Sequence, residues 1–208
     1  LNNTNAFVLN NANSKLLLNS ITVSTVVTSS DSSGIDVDAN STVNSVSVNH
    51  ITPLSIAAGT SLGGAITVSA GSIKLNETGT LASTVTMSGG TLDVDETSTL
   101  SGALTQSGNI TIDVLTDKTL TYSGAGFNID GNTLVLSGGG TLNNTNAFVL
   151  NNANSKLFLN NITLNKAVTT ANSLGIDVDV NSTVASLEVG HITPVSIADG
   201  VTLSGGVE

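Results

Sequence analysis

Carboxylates are the side chains best placed to do chemistry in this chain: fifteen Asp and Glu stand against five Lys and no Arg. Three acidic pairs each flank one valine: Asp36/Asp38 around Val37, Asp93/Asp95 around Val94, and Asp177/Asp179 around Val178. On an extended strand alternate residues share a face, so each pair projects two carboxylates to one side with the valine turned the other way. Such oxygens suit Ca²⁺, with Glu96 or Asp113 adding ligands from an adjacent segment. Against this, neither a 12-residue EF-hand loop nor a Gly-Gly-x-Gly-x-Asp nonapeptide is present. A charged outer face that keeps strands apart accounts for the pairs without an ion. The reading is therefore no metal site and no cofactor; Asp93, Asp95 and Asp113 are the residues that would form such a site.

Other chemistry is weaker. Acid–base work on a polysaccharide needs clustered carboxylates, or Ca²⁺ beside a basic residue. Here Lys15, Lys74, Lys118, Lys156 and Lys166 are scattered, and aromatic residues make up only 2%. No enzyme is expected. His50 and His191 each precede Ile-Thr-Pro (Pro53, Pro194), and one histidine per segment cannot gather a metal's ligands, so both read as corner residues. Ser47, Thr67, Thr86 and Thr105 would form an outward file of hydroxyls. A flat ice-binding lattice wants paired threonines, and on this strand only Thr84/Thr86 supplies one. Asn-x-Ser/Thr triplets occur at Asn40, Asn76 and Asn181, though chance supplies many in so Asn-, Ser- and Thr-rich a chain. The Asn clusters at Asn2/Asn3/Asn5 and Asn10/Asn11/Asn13, repeated at Asn143/Asn144/Asn146 and Asn151/Asn152/Asn154, read as turn residues and stacked amides.

The elements that carry these residues follow from a repeat. LNNTNAFVLNNANSKL occurs at Leu1–Leu16 and again at Leu142–Leu157, an offset of 141. Residues 1–67 align with 142–208 without a gap at 44 identities. The 208 residues are one segment, with 1–141 the first copy of the repeat and 142–208 a partial second copy. Within it, seven units of 17 to 24 residues follow one another. Each carries three short strand signals separated by Gly, Ser or Asn.

Alternation assigns the inward positions. The second strand of the units gives Ile73/Leu75, Leu92/Val94, Ile110/Ile112 and Leu134/Leu136; the third gives Leu62, Leu81, Leu100, Leu120 and Leu142. No single unit can enclose so few apolar side chains. Stacked about 4.8 Å apart, the units bury them in continuous rows. The expected fold is an all-β, right-handed parallel β-helix (β-solenoid) of about twenty residues and three strands per coil, in about ten coils. Val135, Leu17 and its counterpart Phe158 fall on outward positions although apolar. The long units Ile21–Asn44 and Ile162–Ala185 are expected to fold over them as covering loops.

Composition narrows the function. A net charge of −10 leaves no basic footprint for nucleic acid and is repelled by anionic membranes. No run is long and apolar enough to insert in a bilayer, and without cysteine there is no disulfide or thiolate chemistry. The abrupt start at Leu1 reads as that of an excised piece. Uncapped terminal coils would then stack end to end.

Units such as GGTLDVDETSTLSG (89–102) and GNTLVLSGGGTLNN (131–144) resemble the passenger repeats of bacterial autotransporters and of filamentous-haemagglutinin-like adhesins. The resemblance implies an extracellular or cell-surface β-helix of a large bacterial protein. Its partners would be neighbouring repeats and a host or cell-surface glycan or protein. The expected function is a structural or adhesive rod segment. The alternatives are a carbohydrate-binding or polysaccharide-degrading β-helix and a calcium-stiffened adhesin module.

Overall fold

The structure is a computed structural model that describes residues 1, 5–124, 127–190 and 193–207. Among these the chain forms 26 strands and no helix. They make two sheets, one of ten strands and one of sixteen, in which every ladder is parallel. The chain is a β-solenoid of ten coils.

One coil shows the plan. Thr84–Met87 runs along a first face, Thr91–Val94 along a second and Ser98–Leu100 along a third. Valine, isoleucine and threonine favour such extended segments, and the tight corner at 88–90 is Ser-Gly-Gly. Second-face strands build the ten-stranded sheet; first- and third-face strands share the sixteen-stranded one. In several coils the third face continues into the first as one bent strand, as in Ser41–Val48, Ser61–Val68 and Ser182–Val189. The bend is a bulge, where register slips between Thr42 and Ser45. Gly64 makes it with φ of 121°, and a Cβ there would sit 2.0 Å from the Val43 carbonyl oxygen. Only glycine fits this corner, and the second copy repeats it at Gly205.

The interior is mainly aliphatic. Leu62 pairs with Leu81 and Leu81 with Leu100, and all three are buried. On the second face one row runs Ile73, Leu92, Ile112, Leu136, Leu159, Val178 and Ile197, passing from the first copy of the repeat into the second. Leu75, Val94, Ile110, Leu120, Leu134 and Leu142 are buried as well. Each aliphatic side chain taken out of water contributes about 1.5–3 kcal/mol, which offsets the entropy of ordering short strands and many turns.

Rows and repeat do not coincide. The outward row that starts at Lys15 runs through Gly34, Pro53, Lys74, Asp93, Asp113 and Ser137 to Asn160. The repeat counterpart of Lys15 is Lys156, so the strand has slid by four residues (160 − 156) over one repeat. An even slide leaves every inward residue inward, whereas an odd one would turn the apolar set to solvent.

Three pairings expected from counting are corrected, the first on the second face, where Leu92 pairs with Ile112 and not with Ile110. Leu120 does not stack on Leu100: Leu100 pairs with Tyr122, and Leu120 lies between Ser98 and Leu142. The cause is a longer corner, since Val114 to Leu120 spans six positions where Val94 to Ser98 spans four. Leu54, which alternation also turns inward and counting would set on Ile73, likewise pairs with Leu75, leaving Thr52 as the partner of Ile73 on an interior row.

The covering loop is a second correction. Residues 162–185 lie largely in Thr163–Leu164, Val168–Asn172, Gly175–Val180 and the start of Ser182–Val189, joined by short corners. The extra residues lengthen strands instead of arching over a face. Phe158 is partly buried because Lys156 Nζ lies 4.5 Å from its ring centroid and Val135 and Asp177 flank it on the row. Leu17, on the first coil, is 64% exposed.

Candidate functional site

Charge is segregated between the sheets. Strands of the ten-stranded sheet carry Lys15, Asp36, Lys74, Asp93, Asp113, Lys156, Asp177 and Asp179; those of the sixteen-stranded sheet carry only Asp31 and Glu188. Stacking brings the charged residues of successive coils together. Lys74 Nζ lies 3.0 Å from Asp93 and 2.6 Å from Asp95, both contributed by the following coil. Lys15 pairs with Asp36 at 2.5 Å, and the second copy repeats the pair as Lys156–Asp177 at 2.8 Å. Lys118 meets Glu96 at 2.6 Å. Hydrogen bonds that Lys74 donates to Asp95 and then Asp93, outweighing partial burial, hold its ammonium above the ordinary pKa of 10.5.

The structure thus places Asp93 and Asp95 together with Lys74 between them, and Asp113 one rung above Asp93. Asp113 accepts a hydrogen bond from Ser137 Oγ. Among the described residues no three His, Asp or Glu side chains are grouped so as to hold a metal ion. His50 Nδ1 is 3.8 Å from an Asp31 oxygen at an exposed corner, and His191 lies outside the described residues.

Asparagines are engaged in structure. Asn11 Oδ1 accepts from Asn13 N, and Asn152 Oδ1 accepts from Asn154 N, both at 2.9 Å in equivalent turns. Asn40 Oδ1 accepts from Ser61 N and Asn181 Oδ1 from Thr202 N, so these amides tie one coil to the next. Asn165 Nδ2 donates to Asn143 Oδ1 in a stacked amide pair. Asn2 and Asn3 lie outside the described residues. The hydroxyl file Ser47–Thr67–Thr86–Thr105 is a true row. A second file, Thr119–Thr141–Thr163–Thr183, lies on the third face.

Sequence reasoning did not find a break in the wall. On the first face Leu104–Gln106 closes one run of paired strands and Phe127–Ile129 opens the next, and no ladder joins them among the described residues. Two side chains take the place of strand pairing. Tyr122, fully buried, accepts a hydrogen bond on its phenol oxygen from Leu104 N at 3.1 Å. Gln106 Nε2, at an interior position of the row that holds Met87, donates to Gly108 O and Thr133 O. Its Oε1 is buried with no partner. The Tyr122 ring packs edge-on against Phe127, and Phe127 against Phe148. Three of the chain's five aromatic rings are stacked beside the break.

A cleft of about 300 Å³ opens there, lined by Leu104, Thr105, Gln106, Tyr122, Asn128 and Asp130. Thr105, Asn128 and Asp130 are exposed at its mouth. Around the corner a second hollow of about 340 Å³ holds Lys166 among Thr121, Ser123 and Asn143. The one signal in the sequence was Gln106, a polar residue where Val48, Val68 and Met87 mark the inward row.

Compared with protein-family models, with curated proteins and with solved structures, the chain finds no match.

Proposed function

We propose that this chain is a structural repeat segment of a large bacterial cell-surface or secreted protein, serving as a rigid rod on which adhesion depends. The observation that carries this reading is the interior row that crosses from one copy of the 141-residue repeat into the next without interruption. A fold assembled this way lengthens by adding rungs.

Neighbouring repeats are the segment's principal partner in this reading, since each coil is covered by the next: Ile56 is 2% exposed because Gly79 of the following coil lies against it. The charged second face keeps rods from pairing side to side. The glycan or protein to which such a rod would adhere is met along its outer surface. The resemblance of its Gly-, Ser- and Thr-rich units to autotransporter passengers and filamentous-haemagglutinin-like adhesins supports export to the cell surface and a non-enzymatic role.

Antibodies raised against this segment should label intact cells of the source organism, and electron microscopy of the parent protein should show thin rods. Labelling only after permeabilisation, or globular particles, would refute the proposal.

A further inference from the structure

We infer that the cleft between Leu104–Gln106 and Phe127–Ile129 binds one neutral sugar unit. A passive wall gains nothing from this place. The ladder is broken, a phenol is buried to replace a strand, and Gln106 Oε1 is left unpaired, each of which costs stability that an uninterrupted row would keep. The cost falls where a hollow opens onto the surface.

The lining selects the ligand class. Thr105 offers a hydroxyl, Asn128 an amide and Asp130 a carboxylate, set around the apolar side chains of Ala103 and Leu104 and the edge of the buried Tyr122. Hydrogen-bonding groups beside an apolar floor match a sugar, which has hydroxyl edges and a C–H face. Asp130 is pre-oriented: its Oδ1 accepts from Asn152 Nδ2 of the next coil at 3.0 Å, and Oδ2 has no partner among the described residues. No lysine lines this cleft, and the chain's net charge of −10 repels anions, so a neutral unit is favoured over an acidic one. About 300 Å³ is at the small end for ligand sites, which suits a single ring. Copies of the 141-residue repeat would present this cleft once every seven units, spacing weak sites along a rod where they act together.

The chain has one tyrosine, Tyr122, and no tryptophan, so its intrinsic emission reports on the cleft and on the neighbouring hollow, both of which Tyr122 lines. Tyrosine emission should be titrated with methyl glycosides of glucose, galactose, mannose and N-acetylglucosamine, with calorimetry alongside. One glycoside is expected to bind saturably at one site per chain. Asp130→Ala and Asn128→Ala should each weaken it about tenfold, the loss of one hydrogen bond to the ligand. Lys166→Ala, in the neighbouring hollow, should leave it unchanged. Both cleft residues are exposed, so the variants retain the wild-type circular dichroism; should one fail to fold, the other carries the test. The inference is overturned by no binding at about 10 mM of any glycoside, by wild-type affinity in both cleft variants, or by loss of binding in Lys166→Ala.

Discussion

The phenol oxygen of Tyr122 accepts a hydrogen bond from the backbone nitrogen of Leu104 at 3.1 Å, doing for one coil what a neighbouring strand does for the others. Both residues are buried. Tyr122→Phe keeps the ring stack on Phe127 and strands the Leu104 N–H. Its cost should be about 1–3 kcal/mol in urea unfolding, with the native far-ultraviolet spectrum retained. An unchanged midpoint would show that the bond does not close the break.

Interior rows should dominate stability. Leu81→Ala removes a side chain packed between Leu62 and Leu100 and should cost about 2–5 kcal/mol. Leu17→Ala, on an exposed outward position, should stay within about 0.5 kcal/mol. Equal losses at the two positions would mean that the alternation does not set inside and outside.

The corner glycines give a sharper contrast. At Gly64 a methyl group meets the Val43 carbonyl oxygen and the backbone has positive φ; at Gly63 the nearest atom to a new Cβ is Thr42 Oγ1 at 3.5 Å. Gly64→Ala should cost at least about 1–3 kcal/mol, while Gly63→Ala is neutral or slightly stabilising. Thermal melts of the two single variants, side by side, decide this.

Lys74 sets a pH dependence at the alkaline end. Its pKa in the folded chain is raised, so the stability it contributes is fully present below the ordinary value of 10.5 and is lost as pH rises through the folded value. The melting temperature should therefore fall more steeply above pH 10.5 in wild type than in Lys74→Met. At neutral pH Lys74→Met leaves Asp93 and Asp95 beside each other, at a cost of about 0.5–1 kcal/mol that added salt reduces. Parallel alkaline profiles for the two proteins would remove the triad from the account.

The period of two and the twenty-residue unit made the strands and the inside rows readable, because burial acts on every residue alike. Leu81 over Leu100 follows from that pattern. Leu120 does not: its place depends on two extra residues in the corner at 115–118, where Asp117 takes φ of 63° and Lys118 N bonds back to Leu115 O. A residue-type pattern carries no count of how a corner closes. The break at Leu104–Gln106 was hidden for the same reason. Leu104 alternates correctly, and only the inward Gln106 departs from the rule. The ion pairs joined residues about twenty positions apart, such as Lys15 and Asp36, which separately looked like scattered charges.

The claim that the chain is a rod extended by its repeat is tested most directly by small-angle X-ray scattering on chains carrying one, two and three full repeats. Seven coils at about 4.8 Å add about 34 Å to the longest dimension per repeat, with the cross-sectional radius constant. A longest dimension that grows by much less, or a cross-section that widens with each repeat, would contradict it.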